Sequence, residues 1–207
     1  MTPWRELFYK KLKGLKLEGE VLDMGGAVDA DYHNLFQKKD GTHIYVLGFD
    51  KNYGYDIQAD LEKATTLNNN QYDTVLCFNL LEHIFNYENV LQESYRVLKI
   101  NGQFLLAVPF LFNLHPCPAD YWRFSGDCLR KNLEKTGYRN IEVIEIYTGL
   151  FETLFQIAYN FYGFNFLRFV FKKIAIFLDL LLGLIGGIKY KNLIKNYPLG
   201  YLVKAYK

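Results

Sequence analysis

Cysteine is scarce in this chain, and none of the three, Cys77, Cys117 and Cys128, stands in a CxxC or other metal-type spacing. That excludes a cysteine-built metal cluster and a disulfide framework, and leaves reduced, partly buried thiols of a cytoplasmic protein as the expectation. No GxGxxG turn follows any strand-like run, which counts against an NAD-type oxidoreductase. No basic stripe marks the front of the chain, so nucleic-acid binding is not expected. The longest apolar stretches are broken by Lys172-Lys173 and Asp179, and Ile174–Ile188 is too short and interrupted for a membrane span. No internal repeat or low-complexity tract is visible. The opening stretch reads as an amphipathic segment from Pro3 to Leu17, with Trp4, Leu7, Phe8, Leu12 and Leu15 on roughly one face, and not as a signal peptide.

What is present is apolar mass. Half of the 207 residues are hydrophobic and 17% are aromatic, enough for one domain with a full core and too much for disorder. The net charge of +2 hides an asymmetry. Residues 1–147 carry 16 Lys and Arg against 20 Asp and Glu, whereas residues 148–207 carry 8 against 2. An acidic-to-neutral front and a basic, greasy back imply different surroundings.

The front reads as alternating strands and helices. Val21–Met24, His43–Phe49, Asp56–Ala59, Asp73–Phe78, Gln103–Val108 and Ile141–Ile146 are strand-like runs. A short helix is predicted over Asp31–Lys39, one capped by Asn86 and stopped by Asn101-Gly102, and one from Ser125 to Gly137. The few residues between the second and third strands leave little room for a crossover helix. Leu199–Tyr206 alternates as a last strand, antiparallel beside the sixth. The expected fold is therefore α/β, Rossmann-like and doubly wound, with a mostly parallel seven-stranded sheet and an antiparallel last strand. The expected organisation is a single domain: a helix over 1–17, a core over 18–147, a hydrophobic helical insertion over 148–197, and the last strand over 198–207.

The chemistry-bearing residues sit where the runs end. Val21-Leu22-Asp23-Met24-Gly25-Gly26 closes the first strand, Gly48-Phe49-Asp50 the second, Asp60 follows the third, and Asn79-Leu80-Leu81-Glu82-His83 the fourth. Carboxyl ends of parallel strands that carry glycines and acids are how a nucleotide pocket is built. Gly25-Gly26 alone is weak, because a glycine pair is often only a tight turn. Order and spacing carry the signal, together with Arg96-Val97-Leu98-Lys99-Ile100-Asn101-Gly102-Gln103 ahead of Val108-Pro109.

In these residues the chain resembles the class I S-adenosylmethionine-dependent methyltransferases, the type 11 group in particular. The stretch His115-Pro116-Cys117-Pro118-Ala119-Asp120-Tyr121-Trp122-Arg123-Phe124 is similar to a HxxxxDYWRF signature of a subgroup that often accompanies surface-polysaccharide and glycolipid assembly enzymes. The resemblance covers roughly residues 18–147 and departs from the family pattern at Ala27 and Asp29, where glycine is usual. It implies S-adenosyl-L-methionine as the cofactor and no metal. By the same resemblance Gly25, Gly26 and Ala27 present backbone to the methionine part, a helix starting near Ala30 directs its amino end to the carboxylate, and Asp23 supports the turn. Asp50 would accept from both ribose hydroxyls, Asp60 and Leu61 would border the adenine, and Asn79 and Leu80 would line the pocket. The alternatives are a solvated loop acid for Asp50 and a structural cap for His83.

Methyl transfer to oxygen needs alignment and a base. His83, His115 and Asp120 are the candidates for the base, and Arg123 for holding a phosphate or carboxylate of the acceptor. Tyr121, Trp122 and Phe124 could stack on a sugar; otherwise they form a packed loop with Arg123 in a structural ion pair. The expected acceptor is an oxygen of a glycan, a glycolipid intermediate or another small molecule. Ala27 and Asp29 keep open a catalytically lapsed, scaffolding protein. The segment 151–195 reads as a lid packed on the domain, a homodimer face, or a peripheral contact at the inner membrane face.

Overall fold

The computed structural model describes residues Met1 to Lys207. In chain order the elements are α1 (Pro3–Leu12), β1 (Lys16–Leu17), β2 (Glu20–Met24), β3 (Gln37–Lys38), β4 (His43–Gly48), β5 (Ile57–Gln58), β6 (Tyr72–Phe78), α2 (Tyr87–Val97), β7 (Leu98–Pro109), α3 (Gly126–Thr136), β8 (Arg139–Ile146), α4 (Leu150–Ile157), α5 (Asn165–Ile194) and β9 (Gly200–Tyr206). Seven strands form one sheet in the order β5-β4-β2-β6-β7-β9-β8. Pairing is parallel from β5 through β7, and β9 enters antiparallel between β7 and β8. This is the Rossmann-like sheet the strand pattern predicts.

Strand side chains alternate between two buried faces. Val75, Cys77, Phe104 and Leu106 pack with Val90 and Leu91 of α2 and Leu129 and Leu133 of α3. Leu76, Phe78, Leu105 and Ala107 pack with Trp4, Phe8 and Leu12 of α1. The N-terminal helix thus covers one sheet face, and its Trp4 reaches the carboxyl edge where β6 ends.

Several local expectations are corrected. The helix predicted over Asp31–Lys39 is a single 3-10 turn, Asp31–Asn34. Phe36 is drawn into the core, and Gln37-Lys38 then pairs with Lys16-Leu17 as a two-stranded edge. Asn101-Gly102 does not stop α2, which ends at Val97; the pair lies inside β7, with Asn101 at φ 64°. Asn86 occupies the cap position of α2 but spends its amide on the Glu62 carbonyl, 3.2 Å away. Ser125 does cap α3, and Gly137 ends it at φ 113°.

The back half holds α4 and α5. Asp179 of α5 accepts from the backbone N–H groups of Phe151 and Glu152 at 2.9 and 2.8 Å, so α5 caps α4. At Gly187 the backbone leaves helical geometry, and the chain beyond it brings the Tyr190 hydroxyl to Asp179 at 2.5 Å. Of the three readings of this segment, burial of its apolar residues on the domain is not what α5 shows. Within α5 only Ala175 is buried, while Phe166, Phe169, Phe177, Leu184, Ile185 and Ile188 are exposed. No helix is long and apolar enough to cross a membrane.

Behind the sheet's carboxyl edge, Glu93 of α2 ties down the loop before β6. It accepts from the Thr65 N–H and hydroxyl and from Arg96, whose guanidinium also reaches the Leu67 carbonyl. The Arg96 hydrogen bonds lower the Glu93 carboxyl from 4.5 to about 2, with Thr65 contributing. Because the folded value lies below the unfolded one, this group stabilises the fold above pH 4.5 and its contribution is lost as pH falls toward 2. Glu93→Gln should cost about 2–3 kcal/mol at pH 7 and flatten the acid limb of the urea-midpoint profile in that window. An unchanged profile would refute the pairing.

Candidate active site

The site is built at the carboxyl ends of β2, β4, β6 and β7. Below β2, Asp23 is fully buried and accepts from the Tyr32 hydroxyl at 2.6 Å, with the His33 Nε2 at 2.7 Å; its Oδ1 has no partner. Burial, then the Asp23 charge, pushes the Tyr32 phenol far above its ordinary value. The turn that follows needs its glycines. Gly25 stands at φ 77°, and a Cβ there would meet Leu80 at 2.6 Å; a Cβ on Gly26 would meet the Asp23 carboxylate at 2.2 Å and the Tyr32 hydroxyl at 2.5 Å. The first demand of Gly25-Gly26 is therefore close packing of this chain's own side chains. Ala27 and Asp29 are exposed beyond it. The helix expected near Ala30 is a single 3-10 turn, Asp31–Asn34, with Ala30 at its cap position.

Asp50, at the end of β4, is exposed. Its Oδ1 accepts from the Asn52 backbone and amide at 2.9 and 2.8 Å, and its Oδ2 carries no bond. Asp60 is more committed: it accepts from Glu62 N–H at 3.1 Å and pairs with Lys63 at 3.0 Å, and these contacts, Lys63 first, lower its carboxyl. Leu61 is buried beside it. Asn79, at φ 50°, turns its Oδ1 toward the Trp4 indole N–H, 3.2 Å away.

Past Asn79 lies a cavity of about 520 Å³, walled by Trp4, Phe8, Asn79, His83, Phe112 and His115. Behind its two histidines sits Glu82, fully buried, with no hydrogen-bond partner on either carboxylate oxygen. The Nε2 atoms of His115 and His83 lie 3.6 and 3.9 Å from its Oε1. These are charge contacts across a gap, longer than hydrogen bonds. The Glu82 carboxylate raises the His115 imidazole above its usual value, with the Asn113 carbonyl and Asp120 adding to it.

The His115–Phe124 segment is docked on this turn through backbone. The Ala119 carbonyl meets His83 Nδ1 at 2.6 Å, the Tyr121 N–H donates to the Glu82 carbonyl at 2.7 Å, and the Trp122 indole donates to the Ile84 carbonyl at 3.1 Å. Arg123 gives both terminal nitrogens to Asp120, at 2.5 and 2.8 Å, and donates further to the Trp122 and Asn113 carbonyls. That guanidinium holds the Asp120 carboxyl well below the usual carboxylate range, and the His115 N–H adds to it. Neither Asp120 nor Arg123 lines this cavity; they pair with each other, and Asp120 accepts from the His115 N–H. Trp122 and Phe124 pack against Tyr87; of this aromatic trio only Tyr121 is exposed, its ring 5.4 Å from exposed Phe85. Sequence reasoning missed Tyr32, His33 and Phe112 and gave Trp4 only a packing role.

Residues 3–143 match the family model for a methyltransferase domain. The chain belongs to that family. Solved structures agree in fold: an S-adenosylmethionine-dependent methyltransferase from Archaeoglobus fulgidus (15% identity, 98% of this chain and 94% of that one, TM-score 0.58) and one from Mesorhizobium loti (14%, 99% and 97%, 0.56). The phosphoethanolamine N-methyltransferase 2 of Haemonchus contortus, solved with S-adenosyl-L-methionine, aligns at 16% identity over 98% of this chain and 51% of its own, with a TM-score of 0.55. No curated protein matches the chain.

The Haemonchus contortus structure holds S-adenosyl-L-methionine, and the residues of this chain would suit such a cofactor best at its ribose end. Asp50 keeps an oxygen free at the end of β4, where a hydroxyl could donate to it, and the backbone of Gly25 is exposed. Leu80, the side chain pressed on Gly25, is the flexible neighbour that would give way.

Proposed function

We propose that this methyltransferase methylates an oxygen of a small glycan or glycolipid acceptor held in the Trp4–His115 cavity. The observation that carries the proposal is the cavity itself, which opens beyond Asn79 and ends on two imidazoles backed by a buried carboxylate. The cofactor supplies an electrophilic methyl group on a sulfonium, which departs as a neutral thioether. The chain's own residues do the rest. Trp4, Phe8 and Phe112 exclude water and orient the acceptor, so that positioning supplies much of the rate. The oxygen attacks the methyl carbon, and its proton passes to the Glu82–His83–His115 group.

A glycan or glycolipid acceptor is favoured by the resemblance of the docked His115–Phe124 segment to the polysaccharide-associated subgroup. A lipid-linked one is favoured by α5, which presents exposed phenylalanines, leucines and isoleucines together with Lys173, Lys189 and Lys191, and by Lys195 just past its end. A helix of that make-up suits the headgroup boundary of an anionic membrane. Lys172 is excluded from that role because its ammonium is spent on Glu6. With labelled S-adenosylmethionine and anionic vesicles carrying extracted glycolipid, label should enter the organic phase. Protein should leave the vesicles as salt rises, and Lys173→Glu, Lys189→Glu and Lys191→Glu together should abolish sedimentation without changing S-adenosylhomocysteine binding. Label confined to water-soluble sugar would overturn the lipid-linked version. Binding of S-adenosylhomocysteine with no transfer to any acceptor would favour the lapsed reading.

A further inference from the structure

We propose that Glu82, His83 and His115 form a binding site for one divalent transition-metal ion of the zinc type. Their donor atoms all lie within 4.8 Å of one another. The tautomers are set from outside. His83 Nδ1 faces the Ala119 carbonyl at 2.6 Å, which can only accept. His115 Nδ1 faces the Asn113 carbonyl at 3.1 Å and the Asp120 carboxylate at 3.2 Å. Both Nδ1 atoms therefore carry the proton, and both Nε2 lone pairs turn inward. They turn toward a carboxylate that is fully buried and unpartnered on both oxygens.

A fully buried carboxyl with neither oxygen hydrogen-bonded lacks the partner that such a group ordinarily has. Two imidazoles whose far N–H groups are held by a carbonyl and a carboxylate, converging on a glutamate, are the ligand set and outer shell of a His₂Glu metal site. The spacing is close. Tetrahedral bonds of about 2.0–2.1 Å put ligand atoms about 3.3 Å apart; the Nε2–Oε1 separations of 3.6 and 3.9 Å stand a little wider than that, and the widest of the three separations, within 4.8 Å, would have to close by rotation of the imidazole side chains as the ion enters. Two nitrogens with one oxygen favour zinc over magnesium or calcium. The Asp120–Arg123 pair gains a purpose here: it holds the acid that orients His115. Because His83 and His115 also wall the cavity, the ion would keep a face open to it. There, resting on the methyl-transfer reading, it would lower the pKa of an acceptor hydroxyl, whose proton would then leave to water in the cavity because all three side chains would be engaged as ligands.

The test uses the whole protein, stripped with chelator, at about pH 7.5, because metal binding displaces protons from its ligands and weakens as pH falls. Zn²⁺ should bind by calorimetry at one ion per chain with a Kd of about 1 μM or tighter and raise Tm. Co²⁺ should give the visible absorption of a four- or five-coordinate site. His115→Ala should weaken Zn²⁺ binding more than about 100-fold, and Asp120→Asn, which alters only the outer shell, by about 10–100-fold. Glu82→Gln should abolish binding, and His115→Ala gives the answer if that variant does not fold. Failure of Zn²⁺ and Co²⁺ to bind, or binding that persists in His115→Ala, overturns the proposal and leaves an imidazolium as the partner of Glu82. A parallel S-adenosylhomocysteine titration separates the two readings: cofactor binding without zinc sinks only the metal site, and zinc binding without methyl transfer leaves it standing.

Discussion

Asp50→Ala is expected to weaken S-adenosylhomocysteine binding by about 1.5–3 kcal/mol, the range for hydrogen bonds to a charged group, which is about tenfold to 150-fold in Kd. The side chain is exposed at the end of β4, so its removal creates no cavity and should leave the fold intact. Half of it is already occupied. One oxygen caps the Lys51–Tyr53 turn through Asn52, which sets the direction in which the other points. Asn52→Ala should therefore cost binding too, but less, because it removes the amide half of that orientation and keeps the backbone N–H bond and the charge. Were Asp50 only a solvated loop acid, both variants would stay within about 0.5 kcal/mol of the parent. Calorimetry on the folded proteins decides between these outcomes, and an unchanged Asp50→Ala removes Asp50 from the site.

The sheet was legible because its central strands are apolar runs, with Gly25 just past β2, Gly48 closing β4 and Asp50 just beyond it. Val21–Met24, His43–Gly48 and Asp73–Phe78 need nothing beyond period and punctuation. What could not be read depends on partners far away in sequence. The segment after Gly26 has helix-compatible residues, yet Phe36 is pulled into the core and Gln37-Lys38 pairs with Lys16-Leu17, leaving space for only one 3-10 turn. The strand ends located the candidate site, but which polar group faces which was hidden. Asp120 and Arg123 carry the right chemistry for an acceptor pocket, and only the fold reveals that they satisfy each other. Glu82 reads as an ordinary acid beside a histidine until its burial is seen. The apolar run in α5 reads as a lid, a dimer face or a membrane contact, because composition cannot say whether a neighbour is there to cover it.

Trp4→Ala should be the most damaging single change outside the sheet, costing about 3–5 kcal/mol of stability by denaturant midpoint. The indole is 4% exposed and stacks on Phe8 at 5.5 Å. It also lies so close to Gly200 that a Cβ there would meet its ring at 2.4 Å, so α1 and β9 are fitted to each other around it. Its backbone N–H donates to the Gln156 side chain at 3.0 Å, which ties the N-terminal helix to α4. Its indole N–H holds Asn79 at the cavity wall. Trp4→Phe separates these roles. It keeps most of the packing, removes one hydrogen bond worth about 1 kcal/mol, and releases Asn79. If Asn79 positions ligand, Trp4→Phe should raise KM or weaken cofactor binding several-fold while Tm falls only slightly. If stability falls with no change in binding, the Trp4–Asn79 contact serves the fold alone, and Asn79 drops out of the pocket.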